Sequence, residues 1–374
     1  MADPLSASQA DVLIVGGGPA GLALGFELKR RNVSFLILER GVTVGESWRR
    51  MPASLKLVSP WKANRLPGTK TNLFPRHHQM TRSEFFDYLQ SYAQEQALPV
   101  QTDVEAVRVS KAGDGFLIQT SKCDVTSRVV VNATGYFSNP YIPEIPGARE
   151  SSIPQIHVAD YKDPANVRRL LNHPPGPILI VGKRLSAGQT MVELVEAGFE
   201  VTLSHQTPIQ FGASPTSGWL LFRIFPWLEW LKLKTLGAKA PSNDVRMEGG
   251  AARKLIVCGR VKTFPAIRCF EDRTVVFQSG STLRPNMIIY ATGFRPTLAH
   301  LAPLGLTLHA STGKPQLHDL ESASVPGLFF IGLDHGRNFQ SRFIRGIRND
   351  VVFLADRLER LCQHRGWMPE SRLF

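Results

Sequence analysis

Cysteine is scarce in this chain. Its four cysteines, Cys123, Cys258, Cys269 and Cys362, lie far apart, and no CxxC pair occurs. That spacing disfavours a thioredoxin-type dithiol relay and offers no zinc pattern, so free thiols in a reducing compartment are expected. Long apolar runs are also missing, since none reaches the roughly 18 residues of a membrane span. The opening MADPLSASQAD has neither a basic start nor an apolar stretch. No secretory leader is read there, and a cytoplasmic location is expected. Hydrolase signatures of the GxSxG and HExxH kinds do not occur, and no metal site is expected.

Acidic residues are outnumbered. Lys and Arg total 44 against 31 Asp and Glu, a formal charge of +13. The excess is dispersed in pairs such as Arg49-Arg50 and Arg168-Arg169 rather than gathered in a block. A generally basic surface suits anionic small molecules, and no nucleic-acid partner is expected. Length and a 43% hydrophobic content fit a globular chain of two or three domains.

What is present is concentrated at the start. Asp11–Arg40 reads DVLIVGGGPAGLALGFELKRRNVSFLILER. An apolar run, Val12–Val15, meets Gly16-x-Gly18-x-x-Gly21, a helical pattern follows, and Phe35–Leu38 then stops on Glu39. Strand, glycine turn, helix, strand and terminal acid make a dinucleotide-binding βαβ unit. Gly16 turns the chain off the strand, Gly18 lets backbone approach a pyrophosphate, and Gly21 lets the helix pack against the sheet. Pro19 and Ala20 open the helix, whose N-terminal N–H groups favour phosphate. Glu39 stands where a carboxylate accepts the adenosine ribose hydroxyls, with Arg40 beside it.

The pattern restarts at Pro177. Ile178–Val181 reads as a strand, Gln189–Ala197 as a helix and Glu200–Leu203 as the next strand. In register with the first loop, the glycine positions are Gly182, Arg184 and Ala187. Arginine at the second place puts a side chain where backbone should meet pyrophosphate. Two readings stay open: Lys183 and Arg184 contact phosphates as cations, or nicotinamide binding is weak or lost. Ser186 is a further phosphate donor. The second strand ends in Ser204-His205-Gln206 rather than an acid, which permits NADPH without excluding NADH.

Further motifs line up: Val129–Asn132 runs into Ala133-Thr134-Gly135, Met287–Tyr290 into Ala291-Thr292-Gly293, and Leu328–Ile331 into Gly332 and Asp334. Val44-Gly45-Glu46-Ser47-Trp48 follows Glu39. Together these resemble the class B flavoprotein monooxygenases, which include flavin-containing, Baeyer–Villiger and auxin-biosynthetic members. The segment Ser151–Tyr161 matches that family's FxGxxxHxxx-aromatic signature only at His157 and Tyr161, with Ser151 and Ile153 in place of its Phe and Gly.

The resemblance implies an α/β fold with two Rossmann-like domains in a glutathione-reductase-like FAD/NAD(P) arrangement. An FAD domain of 8–155 and 285–374 would be interrupted by an NAD(P) domain of 165–280. It implies FAD and NADPH (or NADH) as cofactors, with reduced flavin and O₂ forming a C4a-(hydro)peroxide that oxygenates a small, largely apolar substrate. For FAD it points to Gly16, Gly18, Gly21, Glu39, Gly45, Trp48, the ATG turn Ala133–Gly135, Asp334 and the backbone of Val104 in a strand Asp103–Val109. Gln340, Arg342 and Arg345, just before a helix Asn349–Cys362, would face the flavin, substrate or peroxide, though a solvated surface is an equal reading for the arginines. His77 and His78 read as loop residues before a helix Ser83–Ala97, and His157 as a structural hydrogen bonder between domains.

The stretch 211–239 is rich in aromatics, with Trp219, Trp227 and Trp230 beside Phe222 and Phe225. It reads as a hydrophobic substrate lid, with a plain core helical pair or a membrane-surface helix as alternatives. Two rivals to the monooxygenase reading remain: a flavin oxidase or dehydrogenase with a decayed nicotinamide site, and a flavin redox sensor that does not turn over. Nothing in the sequence speaks to oligomeric state.

Overall fold

The computed structural model describes residues 10–69, 73–171, 176–212, 245–310, 312–334, 336–338 and 340–364. The expected lid therefore lies outside the described residues from 213 onward. The chain divides into two compact units, one of 1–50, 55–139 and 295–374, the other of 51–54 and 140–294.

The first unit begins with β1 (Ala10–Val15), α1 (Pro19–Arg30) and β2 (Phe35–Leu38), the strand–helix–strand order written in the apolar pattern. Short helices α2 (Glu46–Arg49) and α3 (Trp61–Asn64) lead to α4 (Arg82–Glu95). A capping box sets the start of α4: the Thr81 hydroxyl accepts from Glu84 N–H, and the Glu84 carboxylate accepts from Thr81 N–H. Strands β3 (Val100–Gln101), β4 (Ala106–Ala112), β5 (Gly115–Thr120) and β6 (Val125–Asn132) follow.

β1 lies at the centre of its sheet, parallel to β2 on one side and β6 on the other. Burial on both faces explains its unbroken apolar run. Val12 and Ile14 enter one core with α1, while Leu13 and Val15 enter a second core with Phe116, Ile118 and Phe330. The strand expected at Asp103–Val109 begins later, at Ala106. Asp103 takes a left-handed φ of 57°, which no strand accommodates, and Val104 N–H goes to Glu39 O instead.

The second unit holds β7 (Gln155–His157), α5 (Pro164–Leu170), β8 (Ile178–Val181), α6 (Leu185–Glu196) and β9 (Val201–Ser204). It continues through α7 (Ala251–Val257), β10 (Lys262–Phe264), β11 (Ile267–Glu271), β12 (Thr274–Phe277), β13 (Thr282–Leu283) and β14 (Met287–Tyr290). Its main sheet is parallel, in the order β10-β9-β8-β14-β7, and β11–β13 form a small antiparallel sheet. Again the central strand is buried on both faces, with Ile178 and Ile180 in one core and Leu179 in another.

The chain then returns to the first unit through a 3-10 turn, Ala299–Leu304, and β15 (Leu317–His318), β16 (Glu321–Ser322), β17 (Leu328–Phe330) and α8 (Ile344–His364). β17 pairs with β6, which completes the order β15-β16-β17-β6-β1-β2-β3. The seams differ from those read in the sequence. The first unit stops at Asn139, not near 155, because β7 pairs with β14 in the other sheet. It resumes at Arg295 rather than 285, because β14 pairs with β8.

Candidate functional site

In the first unit the glycine loop follows β1 directly. Gly16 has φ 116°, and a Cβ there would stand 2.7 Å from Ala133 O, so only glycine fits. A Cβ on Gly21 would stand 2.0 Å from Gly16 O, which explains the third glycine as a packing requirement. Gly18 is different. Its backbone is extended, and no described atom lies within 4 Å of a Cβ placed there. It is the N-cap of α1, and no described side chain caps that helix. The space over Gly18 is therefore open at an uncapped helix N-terminus, a cradle that suits a pyrophosphate.

Glu39 closes the far side. Its Oε2 accepts from Gly17 N–H at 2.7 Å and its Oε1 from Gly41 N–H at 2.7 Å. Two backbone donors orient the carboxylate while leaving it acceptor capacity for ribose hydroxyls. Arg40 is exposed and lies 3.6 Å from Glu105. Gly45, with φ 71°, starts α2 and donates to Gly17 O at 3.0 Å, so the Gly41–Trp48 loop is tied to the glycine loop. Within that loop the Thr43 hydroxyl is buried and has no hydrogen-bond partner among the described residues. Buried Glu46 is held below the usual carboxylate range by Arg49 and Arg50, whose bonds outweigh burial. Trp48 is half-buried and packs edge-on against Phe85 at 4.6 Å and Phe137 at 6.0 Å.

The first ATG turn sits against this loop because β6 pairs with β1. Ala133 N–H donates to Val15 O at 2.8 Å. Gly135 has φ 64°. The Thr134 hydroxyl lies 3.1 Å from both Asn132 Oδ1 and Thr297 O. His300 Nε2 meets the same Asn132 oxygen at 3.0 Å, and burial pushes its pKa down to about 4.

The C-terminal residues also gather. Asp334 accepts from Lys314 Nζ at 2.7 Å and Arg342 Nη1 at 3.1 Å. Burial pushes its pKa up, but Arg342 and Lys314 outweigh that and hold it below the usual range. Asp334 N–H donates to the Tyr136 hydroxyl at 2.8 Å, one residue past the ATG turn. Gln340 is buried, and its Oε1 accepts from Arg345 Nε at 2.8 Å. The helix after it starts at Ile344, five residues earlier than the expected Asn349, so Arg345 stands in its first turn.

The second unit repeats the device. A Cβ on Gly182 would stand 2.5 Å from Ala291 O, as Gly16 meets Ala133. Each ATG alanine thus supplies the carbonyl against which the first loop glycine packs. Sequence spacing could not reveal that relation, because it depends on β14 pairing with β8. Arg184 is the N-cap of α6, exposed, and no described side chain caps the helix. Ser186 is exposed in the first turn and Ala187 is buried. The helix begins at Leu185, a turn before the expected Gln189, so the whole loop faces its N-terminus.

Lys183 Nζ donates to the Thr207 hydroxyl. Thr207 lines a recess of about 350 Å³ with His205, Gln206, Thr263 and Phe264, at the carboxyl ends of β9 and β10. His205 Nδ1 is buried there without a partner among the described residues. The recess lies where the adenosine end of a dinucleotide meets the second strand of such a unit. His157 has its described partners inside its own unit: Nδ1 accepts from Ala159 N–H at 3.1 Å, and the ring meets Phe294 at 4.9 Å. Burial lowers its pKa.

Comparison with known proteins places the chain in a family. Residues 13–332 match the family described as pyridine nucleotide-disulphide oxidoreductase. An uncharacterized oxidoreductase, CzcO-like, of Geobacillus kaustophilus is 30% identical over 349 residues, covering 92% of this chain and 97% of its own. The indole-3-pyruvate monooxygenase YUCCA4 of Oryza sativa subsp. japonica is 26% identical, with 77% and 75% covered. Among solved structures, a flavin-containing monooxygenase from Stenotrophomonas maltophilia superposes with a TM-score of 0.78 at 25% identity, covering 95% of this chain and 99% of that one.

Proposed function

The chain belongs to the pyridine nucleotide-disulphide oxidoreductase family as a flavin-monooxygenase-like oxidoreductase, and from that premise we propose that it uses NADPH or NADH to oxygenate a small, largely apolar molecule with O₂. The reading is carried by one observation: two glycine loops in two units, each with its first glycine packed against an ATG carbonyl and its helix N-terminus uncapped among the described residues. One such cradle suits FAD and the other a pyridine nucleotide.

In the first unit Gly18 and the α1 N-terminus hold the pyrophosphate, and Glu39 the adenosine ribose. The buried Thr43 hydroxyl and the Asp334 cluster are polar groups suited to the remaining hydroxyls. Bound FAD would supply acceptance of hydride from the nicotinamide and activation of O₂, with one oxygen atom passing to substrate and the other leaving as water. The protein's part is to bind, orient and supply charge. Arg342 and Arg345 bring guanidinium charge, fixed by Asp334 and Gln340, suited to negative charge developing on a reduced ring. In the second unit Lys183 and Thr207 stand beside a recess without a carboxylate among its lining residues, which fits a 2′-phosphate and tolerates a 2′-hydroxyl.

Anaerobic stopped-flow tests this. NADPH and NADH should each bleach the flavin absorbance of the purified yellow protein, and readmitted air should restore it. Protein that stays yellow with millimolar amounts of either nucleotide would remove pyridine nucleotide as the reductant.

A further inference from the structure

We infer that Arg246 is a second phosphate-binding cation of the nicotinamide cradle, standing with Arg184 against the dinucleotide pyrophosphate. This rests on the reading that the second unit binds a pyridine nucleotide.

Arg184 and Arg246 form an isolated antiparallel bridge. Residues directly opposite in such a bridge carry their Cβ atoms about 5 Å apart on one face. Both side chains are exposed. The fold therefore starts two arginine side chains side by side at the N-cap of α6. An anion with two phosphates offers such a pair two charge-assisted, fork-shaped contacts, added to the helix N-terminus.

The segment carrying Arg246 is firmly seated. Met247 is fully buried, its N–H donates to Gln210 O at 3.1 Å, and its carbonyl accepts from Gly212 N–H at 2.8 Å. A Cβ on Gly188, in the first turn of α6, would stand 2.7 Å from Met247 Cγ. Glycine at 188 is what lets this segment lie over the helix start and bring Arg246 to the loop. The arrangement also gives the departure from glycine at 184 a use: where backbone cannot approach the phosphates, two side chains reach them.

The test uses the full-length protein with ADP-ribose, which carries the pyrophosphate without the nicotinamide ring. Calorimetric titration and thermal melting are compared for the parent, Arg246→Gln and Arg246→Lys. Arg246→Gln should bind ADP-ribose about tenfold more weakly or worse. Without ligand it should melt close to the parent, because the Arg246 side chain is exposed. Arg246→Lys should recover part of the affinity. A parent and an Arg246→Gln variant that bind ADP-ribose equally well overturn this inference alone. Weak binding accompanied by a lowered ligand-free melting point overturns it too, since that marks a structural role. A parent that takes up no ADP-ribose overturns the nicotinamide reading and this inference together.

Discussion

Gly16 and Gly18 stand two residues apart and answer to different neighbours. A side chain at Gly16 meets the Ala133 carbonyl at 2.7 Å on a backbone of φ 116°, whereas one at Gly18 meets no described atom. Gly16→Ala should therefore destabilise the fold by about 3 kcal/mol, read by urea unfolding. Gly18→Val should unfold within about 1 kcal/mol of the parent yet lose flavin affinity by about a hundredfold, roughly 2.7 kcal/mol, read by flavin retention on gel filtration. His300 gives a pH dependence. Folded, it takes a proton only near about 4, because burial disfavours the charged ring, whereas the unfolded ring takes one at an ordinary histidine pKa. Unfolding thus binds a proton between about pH 6.5 and 4, and stability falls as pH drops through that window, by about 3 kcal/mol in all. His300→Gln should lose that part of the slope in urea midpoints taken at stepped pH.

Helix α1 is joined to α8 by one arginine. Arg31 bonds buried Glu27 at 2.5 Å and Asp356 at 2.5 Å, and lies 3.6 Å from Glu359. Its fork serves carboxylates on both helices, so the C-terminal end of α1 is tied to the C-terminal helix although the two are far apart in sequence. Arg31→Met should cost about 2 kcal/mol, because Glu27 is left buried without its main partner and partial exposure of the cluster limits the loss. Paired denaturant curves of the parent and the variant would check this. Strand periods and turn residues made β1, α1, β2 and β8 visible in sequence, with both ends of β2 and β8 and the C-terminal end of β1 in place. The strand read from Asp103, which starts at Ala106 instead, shows the limit of that reading, since Asp103 adopts a left-handed turn that alternation alone does not announce.

Across the whole molecule, a charge of +13 acts on anionic cofactors at a distance. Raising ionic strength from about 0.05 to 0.5 M shortens the screening length severalfold, so the KM for NADPH should rise severalfold in steady-state assays. NADH, with one phosphate fewer, should respond less. An NADPH KM indifferent to salt would mean that cationic side chains contribute little to nucleotide capture. The seams at Asn139 and Arg295 also belong to this scale. Residues 140–154 look like a continuation of the first unit in sequence, but the pairing of β7 with β14 draws them into the second.

Local chemistry alone determined that this chain carries two βαβ units, a glycine loop with a terminal acid in one, and an arginine in place of a glycine in the other. Those features repeat over two to four residues along one stretch of backbone, so neighbours in sequence suffice to write them. Tertiary structure decided which residues meet across long intervals: Ala133 against Gly16, Ala291 against Gly182, Arg31 against Asp356, and Arg246 beside Arg184. These meetings follow from strand order and helix packing, which are set by how apolar faces bury one another rather than by any short motif.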